Sequence, residues 1–188
     1  MLPNKLISAA FMMLAGAGWL DLPLTNWNQP GGQVPRAPVA QEPQHETRAE
    51  LIRRCRLTPP RSTAAERAID AAGWIPFRNF NRQLVRRGVE IIDGMTEADG
   101  MCRPAEYNLF VFVDGRFAGT LSPTLMTSRD DGASGEARFE SRAIVAEFYR
   151  YTADDPLCCP SSRVAVRYRI DRTSRGPVVV PLATTAMR

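Results

Sequence analysis

The stretch Tyr107-Asn108-Leu109-Phe110-Val111-Phe112-Val113-Asp114-Gly115-Arg116-Phe117-Ala118-Gly119-Thr120-Leu121 decides the fold. At a period of two, Tyr107, Leu109, Val111 and Val113 share one face of a strand, and Phe110 and Phe112 share the other. A strand apolar on both faces predicts a central position, covered from both sides. Asp114-Gly115 follows it, the strongest short-range hairpin signal. Arg116 to Leu121 is the return strand, and Pro123 closes it.

Working toward the N-terminus, a strand is predicted over residues 83–93, with Val89 and Ile91 pointing one way. Before it, Thr63 and Glu66 have capping-box spacing, and Ala65, Ala68, Ile69 and Ala72 then follow at i, i+3, i+4 and i+7. They predict a helix ended by Gly73, with Trp74 as a core plug between helix and sheet. Thr47 and Glu50 repeat the capping signal, so a shorter helix is expected to run to Cys55. Toward the C-terminus, residues 127–136 read as a polar loop and 137–151 as one long strand. In 163–170, Val164, Val166, Tyr168 and Ile170 alternate with Arg163, Ala165, Arg167 and Arg169, a sheet with one wet face. Asp171 to Pro177 reads as a turn and Val178-Val179-Val180 as a last strand. The expectation is an α+β domain over residues 47–184: a mostly antiparallel sheet of five or six strands, one or two N-terminal helices, and disulfide bracing. Runs of strands without intervening helices argue against a doubly wound parallel sheet.

The chain has 188 residues, 44% hydrophobic and 23% charged, with a formal charge of +4. Lys5 is its single lysine, so the basic surface is arginine, whose planar fork suits phosphate and carboxylate. His45 is its single histidine and sits among prolines. That excludes a Ser-His-Asp or Cys-His centre on an ordered scaffold and a zinc site with several histidines.

Residues 1–17 read as a secretory signal: Lys5, an apolar run from Leu6 to Leu14, then the small-residue cleavage pattern Ala15-Gly16-Ala17. The alternative is an uncleaved anchor, for which the apolar stretch is short of a spanning helix. Leu14-Ala15-Gly16 also begins like a lipobox, but position 17 is alanine. Without a thiol no thioether to diacylglycerol forms, so no lipid anchor is expected. Residues 18–46 read as a proline-rich linker, with Pro23, Pro30, Pro35, Pro38 and Pro43, and without apolar periodicity. Export places the mature chain in the periplasm or cell envelope.

Export also puts Cys55, Cys102, Cys158 and Cys159 where disulfides persist. Four cysteines allow three pairings. A bridge wants α-carbons about 5.5 Å apart, while adjacent residues are fixed near 3.8 Å. The reading therefore joins Cys55 and Cys102 each to one of Cys158 and Cys159, with either assignment open. A redox-active vicinal pair lacks a neighbouring base to lower a thiol pKa, and four-thiolate zinc lacks close ligand spacing.

Leu109 to Thr120, with Ala143 to Tyr151, Asp155-Pro156-Leu157-Cys158-Cys159-Pro160-Ser161 and Val164 to Ile170, resembles the LppP/LprE family of bacterial envelope lipoproteins. The resemblance runs over about residues 74–170. It implies an envelope location and a fold, and no reaction. The chain departs from it at Ala17.

No residue stands out as catalytic, cofactor-binding or metal-ligating. Asp154-Asp155, Asp130-Asp131 and Asp99 lack the alternating ligands of a calcium loop and read as turn formers. Glu90, Glu140 and Glu147 would need to converge across a cleft to serve a glycosidase; cross-strand pairing with arginine is the simpler role. Arg163, Arg167 and Arg169, with Arg172 and Arg175 beyond, form a basic stripe without interleaved aromatics, which disfavours nucleic acid. The expected function is a non-enzymatic envelope domain that binds an envelope protein, a lipid headgroup or an anionic polymer. The alternatives are an accessory subunit of a membrane-associated complex and, behind it, an envelope hydrolase. A deep pocket holding two carboxylates would favour the hydrolase, a flat exposed apolar patch the accessory subunit, and a contiguous arginine stripe free of acidic neighbours the polymer binder.

Overall fold

The computed structural model describes residues 18–38, 46–59, 61–77 and 84–187. The segment 1–17 read as a secretory signal, His45 and Pro60 lie outside the described residues. Among the described residues, a 3-10 turn (Trp19–Asp21) and two short α-helices precede nine strands: α1 (Arg48–Arg54), α2 (Ala64–Ala71), β1 (Ile75–Phe77), β2 (Leu84–Arg86), β3 (Val89–Ala98), β4 (Pro104–Val113), β5 (Arg116–Thr120), β6 (Ser134–Glu140), β7 (Ala143–Arg150), β8 (Ser162–Thr173) and β9 (Gly176–Met187). All strand pairing is antiparallel. The α+β class and the antiparallel sheet are as expected. The strand count is not: the strands form two sheets, β1-β3-β4-β5 with β2 also on β3, and β6-β7-β8-β9.

One added strand is β1, after Trp74, where none was expected; the other two come from tight turns inside the predicted long strands. Arg87 and Gly88 both take left-handed φ (49° and 77°), the geometry of a two-residue hairpin, so 83–93 folds back as β2 and β3. Ser141, at φ 52°, does the same between β6 and β7. Conversely, the turn read over 171–177 shrinks to Ser174-Arg175, because β8 and β9 pair as far as Thr173↔Gly176.

β4 is the central strand that its double apolar pattern requires. Leu109 and Val111 face the second sheet and share a core with Ile144, Phe148, Val166, Tyr168 and Val179. Phe110 and Phe112 face the other way, against Ala65 and Ile69 of α2 and against Trp74. All four β4 residues are buried. Burial of Phe110 and Phe112 contributes roughly 2–3 kcal/mol each. Trp74 is the expected plug and stacks at a tilt on Phe110. Both helices carry the predicted capping boxes, Thr47 with Glu50 and Thr63 with Glu66.

Two buried tyrosines tie the sheets together in opposite directions. The Tyr107 hydroxyl of β4 accepts the Ser134 N–H of β6 at 2.8 Å, and the Tyr168 hydroxyl of β8 donates to the Leu121 carbonyl after β5. Burial drives the Tyr107 pKa up, against the pull of the Ser134 hydrogen bonds, to about 12.

The stretch read as a linker differs over residues 18–38. It is a strap laid on the domain. Trp19, Leu24 and Trp27 pack on the inter-sheet core, and Val34 and Ala37 pack on the α2 side. The Asn28 amide N–H groups donate to Thr120 O of β5 (3.0 Å) and Val179 O of β9 (3.1 Å), while its carbonyl accepts Thr120 N–H (2.9 Å). One side chain thus spans the edges of both sheets. Gly119, at φ 131°, leaves the room: a β-carbon there would overlap the Asn28 amide. Prolines keep this segment from burying itself, but they do not stop single apolar residues from docking on a ready-made surface.

The expected disulfide pairing is corrected. Cys55 joins Cys102, with α-carbons 5.5 Å apart, and Cys158 joins Cys159. The cause is topological. Arg54, in the last turn of α1, donates to Ala98 O (3.1 Å) and Asp99 O (2.9 Å), which seats the helix end on the β3–β4 turn beside Cys102. Cys55 is therefore taken by Cys102, and the neighbours pair with each other.

Candidate functional site

A cleft of about 610 Å3 opens between the sheets, walled by β3 and β4 on one side and by β6 and β7 on the other. Its floor is apolar, from Ile91, Leu109 and Ala137. Its upper walls carry the guanidiniums of Arg103, Arg129 and Arg163, the carboxylates of Asp93, Glu136 and Glu147, and the rings of Tyr149 and Tyr151. Cys158 and Pro160 of the vicinal disulfide loop form part of the rim.

Local features put these groups there. β6 slips register against β7 between Ser134 and Ala137, so a bulge at Gly135-Glu136 widens the entrance. Tyr149 and Tyr151 are two residues apart at the end of β7 and line the same cleft. The loop that carries Arg129 is laced to β7, since Tyr149 N–H donates to Ala133 O and Gly132 N–H to Tyr149 O, both at 2.8 Å. Asp131 accepts from Arg150 (2.8 Å) and Tyr151 N–H (2.9 Å). Asp155 accepts the N–H groups of Thr152 (2.8 Å) and Ser161 (3.0 Å), which closes the disulfide loop and holds its carboxyl below the usual range. Asp99 shapes the β3–β4 turn in the same manner. Burial raises its pKa, but bonds from the Arg103 backbone and guanidinium outweigh that and leave it lowered. The aspartates read as turn formers do form turns.

Arg163, Arg167 and Arg169 lie exposed on the outer face of the second sheet, as the alternation requires. They do not form an unbroken positive strip. Arg167 pairs with Glu140 at 3.1 Å, Arg169 with Asp171 at 2.7 Å, and Arg163 approaches Glu147 at 3.7 Å. Of the three, only Arg163 reaches the cleft, where its guanidinium carbon stands 5.3 Å from the Tyr149 ring centroid. Glu140 and Glu147 are brought together by Arg138, which bonds both at 3.0 and 2.7 Å. Glu90 is elsewhere, accepting the Thr63 hydroxyl at the start of α2. The three glutamates do not converge. Sequence reasoning missed Arg103, Arg129, Tyr149 and Tyr151. The one local signal was the Tyr-x-Tyr at the end of a strand, which sets two rings on one side just before a loop.

The molecule is thus a disulfide-braced, two-sheet antiparallel α+β domain with a mixed apolar and charged cleft between its sheets. Residues 90–173 match the family model described as LppP/LprE lipoprotein, the family of envelope lipoproteins that the sequence resembles. All the cleft-lining residues, from Ile91 to Arg163, fall inside the matched span. The strap, both helices and β9 fall outside it. No curated protein and no solved structure matches the chain. Among the described residues, no helix is long and apolar enough to cross a membrane.

Proposed function

We propose that this is an exported, non-enzymatic domain of the cell envelope that binds another envelope component in the cleft between its sheets. The observation that carries the reading is the cleft itself: about 610 Å3, with an apolar floor, lies wholly within the family-matched span. Pockets of this size with a few polar groups above an apolar base are the usual form of a ligand site. The reading moves the binding surface away from the outer arginine stripe, whose members have acidic neighbours. Binding is favoured over hydrolysis because, of the three carboxylates that line the cleft, Glu147 is engaged by Arg138, Asp93 has an interaction of its own and Glu136 is exposed on the bulge, while Glu90 and Glu140 line no part of it.

The test is a photo-crosslinking phenylalanine in place of Tyr149, with a second protein carrying it in place of Arg167. After irradiation of native envelopes, the first is expected to gain a defined lipid, glycan or protein adduct that the second lacks. Equal labelling of both, or none at position 149, overturns the reading. Export is checked separately: the native protein is expected to have the mass of a chain beginning near Gly18 without diacylglycerol. Retention of residues 1–17, or a lipid mass, defeats that part.

A further inference from the structure

We infer that the cleft binds a phosphate group, clamped between Arg129 and Arg163, with the rest of its ligand lying along Tyr149 and Tyr151. This inference rests on the cleft being a binding site and specifies its ligand. The charged groups of the cleft fall into two sets. Arg103 is committed to Asp99, and Glu147 to Arg138. Asp93 has an interaction of its own, and Glu136 is exposed on the bulge. Arg129 and Arg163 remain. Arg129 is half-buried, with no hydrogen bond or ion pair to another described residue. Arg163 makes no hydrogen bond to one either; its nearest carboxylate oxygen is 3.7 Å away. Elsewhere, Arg54, Arg138, Arg150, Arg167, Arg169 and Arg172 each hold a carboxylate at 3.1 Å or less.

A guanidinium partly withdrawn from water without a counter-charge calls for an anion. Arg129 meets that description. Arg163, exposed and only loosely paired with Glu147 at 3.7 Å, adds a second fork in the same cleft. Together they offer more donors than one carboxylate can accept, which the oxygens of a phosphate meet. Each arginine neighbours one of the cleft tyrosines: Arg163 stands over Tyr149, and the charge of Arg129 acts on Tyr151. Arg129 also holds φ at 75°, a left-handed conformation that non-glycine residues seldom adopt and that is often kept where a side chain must be aimed. Below the arginines, the apolar floor suits a ligand with an uncharged body beneath its phosphate.

The experiment measures binding of the mature protein to inorganic phosphate and to vesicles of phosphatidylcholine with and without phosphatidylglycerol. It compares the wild type with the pair Arg129→Gln/Arg163→Gln, and with Arg167→Gln/Arg169→Gln on the outer face as a charge-matched control. Circular dichroism confirms that each variant is folded. The wild type is expected to bind a phosphate-bearing probe, and the cleft pair to weaken it by about tenfold or more. The control should stay within about twofold. Binding of inorganic phosphate alone identifies a free phosphate as the source, and binding only to phosphatidylglycerol vesicles identifies a lipid headgroup. Equal loss in both variants, or none in the cleft pair, overturns the clamp. If position 149 still captures an adduct that the arginine substitutions leave unchanged, the phosphate inference fails while the cleft remains a binding site.

Discussion

The two sheets meet water differently. The first is covered on both faces, by the inter-sheet core on one side and by α2, Trp74 and the strap on the other. The second is covered on one face only, and its outer face is roofed by arginine side chains paired with glutamate and aspartate. Val145 and Glu147 lie buried under that roof, on strands flanked by Arg138, Arg163 and Arg167. The first sheet is held by apolar burial in two layers. The second has one apolar layer and a mobile-stemmed ionic cover, which contributes far less. Equivalent substitutions in the two sheets should therefore differ severalfold in cost.

The largest expected effect is in the doubly covered sheet. Truncation of Phe112 to Ala should lower unfolding free energy by roughly 3–5 kcal/mol, read from the shift in denaturant midpoint. An unchanged midpoint would show that α2 does not cover that face. Next is the Cys55–Cys102 bridge, which spans a sequence separation of 47. In the chain-entropy model its loss in Cys55→Ser/Cys102→Ser should cost about 4 kcal/mol. Hydrogen exchange should then rise first in α1 and the β3–β4 turn. The Cys158→Ser/Cys159→Ser variant closes no long loop and should shift the midpoint much less. Equal shifts would contradict the pairing.

Asn28→Ala tests the junction of the two sheets. It leaves backbone groups of Thr120 and Val179 without partners and should cost roughly 1–3 kcal/mol. Tyr107→Phe should cost about 1 kcal/mol near neutral pH and should also alter the alkaline limb. Because the folded pKa of Tyr107 is raised to about 12, the folded state keeps a proton that the unfolded chain releases near pH 10. Stability is then full below pH 10 and falls from there as pH climbs toward 12. The phenylalanine variant should show a shallower decline, and an identical decline would remove Tyr107 as its source. The smallest effect belongs to the ionic roof: Arg167→Gln should change stability by under about 1 kcal/mol, and less at high salt.

What could be read in advance follows the same division. The apolar double face of 109–113 and the alternation of 163–170 were legible, because period and burial are local properties of a strand. The hairpins at Arg87-Gly88 and Ser141 were not, since apolar residues continue on both sides of each turn and no Asn-Gly or Asp-Gly marks it. The strap was missed for another reason. Trp19, Leu24, Trp27 and Val34 have no period, and their partners are far along the chain. The pairing of Cys55 with Cys102 depends on where α1 comes to rest on β3, a tertiary fact. Within the cleft, Arg163 was singled out for its place on a strand, whereas Arg129 lay in a loop with nothing to distinguish it. Its place in the cleft follows from the pairing of its loop with Tyr149 at the end of β7, a tertiary contact.

The Asn28 contacts also bear on the order in which the molecule can be completed. Asn28 and Val179 are 151 residues apart, and the amide that joins them also holds Thr120. A chain that emerges N-terminus first presents the strap before any surface exists to receive it, and its last docking partner arrives only with β9. Until then the strap has lost part of its seat, and the open edges of β5 and β9 have no common bridge. Closing a loop of that length is slow compared with forming the Asp114-Gly115 hairpin. The strap thus acts as a late latch: its docking is complete only once nearly the whole chain is present, so a partly synthesised chain lacks the Asn28 bridge between β5 and β9.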